Sequence, residues 1–135
     1  MSTIVVGYVD TPEGRAALRR GVEEAKLRNS RLVVVNSSKD GPQTNSESIV
    51  ATGVLESARE ELAGVGLEYD LRGLVRGLEV SEDVVDVARA EKAALLVIGL
   101  RRRSPVGKLI LGSNSQRILL DADCAVLAVK AEADE

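Results

Sequence analysis

The residue types able to do chemistry gather in one stretch of this 135-residue chain. It reads Gly99-Leu100-Arg101-Arg102-Arg103-Ser104-Pro105-Val106-Gly107-Lys108-Leu109-Ile110-Leu111-Gly112-Ser113-Asn114-Ser115. Small residues, cations and a new helix start are combined there. Unpaired N–H groups at a helix start, with the Ser113 and Ser115 hydroxyls beside them, make a cup for an anion. Arginine adds charge-assisted contacts to phosphate. The stretch is not a Walker loop, because Gly107-Lys108 is followed by Leu109 and the position five before Gly107 is Arg102. Nor does a Gly-x-Gly-x-x-Gly fingerprint occur anywhere in the chain.

What is missing narrows the chemistry further. The chain has no His, Phe or Trp; its only aromatics are Tyr8 and Tyr69, and its only cysteine is Cys124. Ser-His-Asp triads, Cys-His dyads and a histidine base are excluded. So are the usual zinc sets and histidine-ligated haem, and no metal is expected. Two tyrosines cannot build the stacking platforms of single-strand nucleic-acid binders. With 18 basic and 21 acidic residues the net charge is −3, so neither nucleic acid nor an anionic membrane is an expected partner. No apolar run approaches the roughly 20 residues that span a bilayer. The start, Met1-Ser2-Thr3-Ile4, lacks a signal-type pattern. The expectation is a soluble cytoplasmic protein of one domain over residues 1–135, its 44% apolar content almost wholly Val, Leu, Ile and Ala.

The elements that position the chemistry follow from periodicity. A β-branched run, Thr3 to Val9, leads into Asp10-Thr11-Pro12-Glu13, with Thr11 suited to cap a helix and Pro12 to open it. Ala17, Leu18, Val22 and Ala25 recur at helical spacing. Leu32-Val33-Val34-Val35 reads as a strand buried on both faces. Residues 37–47 read as a loop, and Val50, Val54, Ala58 and Leu62 as a helix from about Ser48. The polar run 68–75 suits an edge strand, and Ser81 is read as the cap of the helix that follows, with Glu82 and Asp83 complementing its dipole. The run 93–99 is the most apolar and belongs in the middle of the sheet. Residues 113–120 form a helix and 124–129 a last strand. Strands alternating with helices predict an α/β fold: a doubly wound parallel sheet with right-handed crossovers.

In such sheets ligands sit beyond the carboxyl ends of the strands, near the reversal of strand order. Asp10-Thr11 leave the first strand, Asn36-Ser37-Ser38 the second, and Gly99 to Ser104 the fourth. Each has a purely structural alternative. Asp10 can serve only as a helix-cap neighbour of Thr11, and Gly99 only as a strand terminus. Gly112 can serve tight packing, Ser113 and Ser115 can be caps, and Arg101-Arg102-Arg103 can be a solvated turn. Cys124 reads as a small core residue. A receiver-type phosphoacceptor domain is ruled out, since Asp10 stands alone and the third strand leads into Val75-Arg76-Gly77. No carboxylate pair or nucleophile–base pair accompanies the anion cup, so no catalytic residue is named.

The chain resembles the universal stress protein family over nearly its whole length. The resemblance rests on Gly7 to Asp10 as Gly-x-x-Asp, Gly77 after the third strand, Leu-Val-Ile-Gly ending at Gly99, Leu111-Gly112-Ser113, and the closing Val126 to Val129. The nucleotide-binding branch of that family carries Gly, two residues, Gly, nine residues, then Gly-Ser/Thr. Gly99, Gly112 and Ser113 match this pattern, whereas Arg102 replaces its second glycine.

The resemblance implies a Rossmann-like five-stranded sheet of order 3-2-1-4-5. It places Asp10 near the ribose and adenine, the backbone around Asn36-Ser37 beside the base, and Gly99, Gly112, Ser113 and Ser115 at the phosphates. The candidate nucleotide-binding set is Asp10, Thr11, Asn36, Ser37, Gly77, Gly99, Arg101, Arg102, Gly112, Ser113, Asn114 and Ser115. The ligand implied is ATP or a related adenine nucleotide such as AMP or cyclic AMP, held without rapid turnover. With no Phe or Trp, the base must be held by aliphatic side chains and backbone, and Tyr8 is expected to point into the core. The resemblance also implies a homodimer through the last strand, Ala125 to Lys130. The competing reading is a nucleotide-free homodimeric interaction module in which Arg102 blocks the phosphate site.

Overall fold

Continuous aliphatic runs are stable only where both faces of a strand are covered. The computed structural model of the chain, which describes residues 1–38, 45–75, 79–100 and 112–131, builds that arrangement. Its elements are β1 (Thr3–Gly7), α1 (Pro12–Arg28), β2 (Arg31–Ser38), α2 (Asn45–Leu62), β3 (Tyr69–Val75), α3 (Val80–Ala90), β4 (Leu95–Leu100), α4 (Ser113–Asp121) and β5 (Ala125–Lys130). The five strands pair in parallel in the order β3-β2-β1-β4-β5. The doubly wound order expected from the sequence is therefore the observed one.

Alternation along each strand sorts the core into two layers. Ile4, Val6, Tyr8, Leu32, Val34, Leu95 and Val97 face Ala17, Leu18 and Ala25 of α1 and Ala58 and Leu62 of α2. Val5, Val33, Val35, Leu96 and Ile98 face Val84, Val85, Val87 and Ala88 of α3 and Ile118 of α4. β3 and β5 are the sheet edges, and β5 is half-buried where β4 is buried.

Local chemistry sets most boundaries. Thr11 caps α1 by accepting the Gly14 N–H at 3.1 Å, and Pro12 occupies the first turn. Asn29 ends that helix in the left-handed conformation, φ 51°. Other boundaries correct the sequence reading. β2 runs on to Ser38, so Asn36 and Ser37 are strand residues and alternate in direction. α2 begins at Asn45 rather than near Ser48. α3 is entered through Glu79, without a side-chain cap bond, and Ser81 is buried in its first turn. α4 is entered through Gly112, again with no side-chain cap.

Helix α1 lies unusually close to the sheet. A Cβ on Gly14 would stand 1.8 Å from the Val9 carbonyl oxygen, and one on Gly21 would stand 2.5 Å from Val6 Cγ2. On the other layer, near the amino ends of the strands, charges hold α3 to β2 and β3. Glu91, just past α3, takes Arg31 at 2.8 Å and Arg72 at 2.9 Å; Arg72 also holds Asp70 at 2.8 Å. The bond from Arg72, followed by that from Arg31, holds the Glu91 carboxyl below the usual glutamate range against the opposing effect of burial.

Three outcomes follow. Gly14→Ala drives a methyl into backbone and lowers stability by about 2 kcal/mol or more, a fall of roughly 5–10 °C in Tm by calorimetry. Gly53→Ala, within α2 and with nothing within 4 Å of the added Cβ, raises stability by roughly 0.5–1 kcal/mol in the same measurement. Because the folded pKa of Glu91 is depressed, its contribution is present above the unfolded value and is lost as pH falls through the folded one. Urea unfolding of Glu91→Gln against the parent should show a stability deficit at neutral pH that closes below about pH 4.

Candidate functional site

The reversal of strand order falls between β1 and β4, and a cleft of about 210 Å³ opens there at the carboxyl ends of the strands. Its apolar walls are Val35 of β2, Val80 and Val84 of α3, Ile98 of β4 and Ile118 of α4. Gly7 ends β1 inside it. A Cβ on Gly7 would lie 3.6 Å from both Ile98 and Val84, so glycine leaves room where a side chain would occupy it. Gly99 also borders the cleft, and a Cβ there would lie 2.5 Å from the Glu13 carbonyl oxygen. That position is glycine because β4 abuts the first turn of α1, whatever it also does for a ligand.

The polar rim is the start of α4. Gly112, Ser113, Asn114 and Ser115 line the cleft together. The first helical bond there runs from the Gln116 N–H to the Gly112 carbonyl at 3.0 Å. The amides of residues 113 to 115 precede it, as the donors of a helix start do, and carry the positive end of the helix dipole. Opposite them, Ser37 reaches the cleft from β2. An apolar slot with a helix start at one end suits a flat, weakly polar ring joined to an anion.

The candidates from sequence divide into three groups. Ser37, Gly99, Gly112, Ser113, Asn114 and Ser115 are brought together around the cleft. Asp10, Thr11 and Asn36 are not among its lining residues. Asp10 pairs with Arg15 at 2.9 Å in an exposed ion pair, with Ser57 Oγ 3.5 Å away. Thr11 is engaged as the cap of α1. Asn36 is buried on the α1 and α2 side, donating its amide to the Tyr8 carbonyl at 2.9 Å. Gly77, Arg101 and Arg102 lie outside the described residues.

Tyr8 borders the cleft at the strand end, while its ring packs into the opposite layer and its hydroxyl meets Ser57 Oγ at 2.6 Å. Burial pushes its pKa up. Cys124 is half-buried, and burial likewise raises its thiol, so it is poorly disposed to react.

The sequence reading missed Asp83. Its place in the first turn suggests only an acid complementing the helix dipole, yet it is 0% exposed and accepts the Ser37 hydroxyl at 2.6 Å. Its spacing held the signal: Val80, Asp83, Val84 and Val87 stand at i, i+3, i+4 and i+7, so the acid lies in the apolar stripe. Glu13 was missed as a cleft residue as well. Among the described residues no cluster of three metal-ligating side chains occurs, and no helix is long and apolar enough to cross a membrane.

Known proteins share this arrangement. The model of the universal stress protein family matches residues 1–130. A universal stress protein of Mycolicibacterium smegmatis is 40% identical over 127 residues, covering 94% of this chain and 96% of that one. The solved structure of a universal stress protein from Archaeoglobus fulgidus superposes with a TM-score of 0.79 at 38% identity, covering 96% of this chain and 98% of that one. Another from the same organism, in complex with dAMP, gives a TM-score of 0.74 at 32% identity over the same shares. With sheet order, matched length and sequence identity all in accord, the chain belongs to the universal stress protein family.

Proposed function

We propose that this protein is a cytoplasmic regulator that binds an adenine nucleotide, ATP, AMP or cyclic AMP, in the cleft at the β1/β4 reversal and does not turn it over rapidly. The observation that carries the reading is the joining of an apolar slot to the start of α4 in a single cleft. The dAMP complex of the 32% identical relative supports it. In this reading Ser113, Asn114 and Ser115, with the amides of the first turn and Gly112, receive the phosphate. Val35, Val80, Val84 and Ile98 enclose the base, taking the place of aromatic stacking. Asp10 and Thr11 follow Val9, a cleft residue, and serve the ribose side once Asp10 exchanges Arg15 for the sugar. Asn36 acts through its backbone, since its side chain is spent on Tyr8. Gly77, Arg101 and Arg102 complete the set.

The nucleotide acts by shifting populations and so changes a surface read by a partner. Slow turnover is supported by the lack of histidine, which leaves no imidazole base. β5 stands at the edge of the sheet with a single charge, Lys130, and a second copy pairing along it gives a homodimer. Arg102, standing where the family motif has glycine, supports the second reading, a nucleotide-free homodimeric module whose phosphate site that side chain fills.

Calorimetry with ATP, AMP and cyclic AMP separates the two. The nucleotide reading expects at least one to bind, with Gly112→Val losing roughly tenfold or more in affinity. If the parent binds none and Arg102→Gly gains binding, the nucleotide-free module is correct. If Gly112→Val binds as well as the parent, the phosphate does not sit at the start of α4. Light scattering at micromolar concentration should return twice the chain mass; a monomer there overturns the β5 dimer.

A further inference from the structure

Ser37 lines the cleft, and Asp83, which does not, accepts its hydroxyl; the reading above gives this pair no role. Asp83 is wholly buried and Ser37 is 9% exposed, and their oxygens are 2.6 Å apart, within the range of a hydroxyl donating to a carboxylate. The hydrogen bond runs from the Ser37 hydroxyl to Asp83 Oδ2, so the Ser37 proton is directed at Asp83. A hydroxyl has a single proton. Committed to Asp83, Ser37 offers the cleft nothing but lone pairs, made more electron-rich by the carboxylate behind them. The pair belongs to β2 and α3, whereas the anion-seeking start of α4 follows β4. β2 and β4 are separated by β1, about 10 Å at two strand spacings. The lone pairs therefore lie at the end of the cleft away from the phosphate, among the apolar side chains Val35, Val80 and Val84.

We infer that Ser37, held as an acceptor by Asp83, selects a purine bearing an exocyclic amine over one bearing a carbonyl at the same position. This rests on the nucleotide reading and adds to it a selecting side chain and a positioning residue. An amine donates to the Ser37 lone pair. A carbonyl sets lone pair against lone pair at a largely buried hydroxyl, which cannot turn its proton into the gap while Asp83 holds it. Asp83 touches no ligand. It acts only by fixing which way the Ser37 proton points.

The test compares AMP with inosine 5′-monophosphate, which differs in that one substituent and the ring N–H it entails. Both are titrated by calorimetry into the full chain and into Ser37→Ala and Asp83→Asn, with circular dichroism to confirm the fold. The parent should prefer AMP roughly ten- to hundredfold. Ser37→Ala should bring the ratio near one, mainly through weaker AMP binding. Asp83→Asn, whose amide can donate to Ser37 and turn its proton outward, should also collapse the ratio while Ser37 remains. Should Asp83→Asn not fold, Ser37→Ala alone decides. A parent that binds both nucleotides equally, or a ratio that survives in Ser37→Ala, overturns the selector and leaves nucleotide binding intact. A parent that binds neither nucleotide removes both.

Discussion

The seat of α1 on the ends of β1 and β4 governs the rest of the molecule. Three glycines let backbone meet backbone or bare methyl there: Gly14 against Val9, Gly21 against Val6, and Gly99 against Glu13. A side chain at any of them would lift the helix by a good part of an ångström. The strand ends would then splay, and the cleft they frame would lose its shape. The close approach also suits a core made of Val, Leu, Ile and Ala. With no Phe or Trp to fill a wide gap between layers, the layers must come close, and small residues at the contacts allow it.

Polar groups inside this aliphatic core are few and answered. Asn36 secures the main chain at Tyr8 as it leaves β1, and Tyr8 in turn reaches Ser57 of α2. Ser2 and Ser30 meet at the opposite end of the sheet. Among the described residues no buried side-chain polar atom lacks a partner. Each such pair joins elements far apart in sequence, and so helps to specify one arrangement among the many that apolar contacts alone would tolerate. The cost of burying Asp83 is met in the same way, with the hydroxyl of Ser37 donating to it.

The alternation of strands with helices and the Thr11 cap are legible in the sequence because both rest on local signals, whereas the strand order 3-2-1-4-5 is what the family resemblance implies. Uninterrupted β-branching marks a two-faced strand, and Thr-Pro-Glu marks a helix start. The α4 rim was legible for the same reason, since Gly112-Ser113 opens an amphipathic segment. What was not legible depended on direction. Ending β2 at Val35 left Asn36 and Ser37 as equivalent loop residues, whereas three more strand residues send one to each face. Asp83 lies in the apolar stripe of Val80, Val84 and Val87, so its inward direction follows from helix phase and not from where the helix starts. A shift of one or two residues in a boundary is small in a secondary-structure assignment. For a side chain it is the difference between solvent and the floor of a site.

The ion pairs at Glu91 bear on how this domain could move. They bind the far end of α3 to β2 and β3 through two arginines and several hydrogen bonds. Near its other end the same helix is tied to the sheet by the Ser37–Asp83 bond, directly below Val80 and Val84. Val80 and Val84 face the cleft from that end, so whatever enters it meets α3 beside the Ser37–Asp83 bond and remote from the Glu91 ion pairs. α4 packs along α3 and borders the same cleft through Ile118, so the two helices present one wall to an occupant.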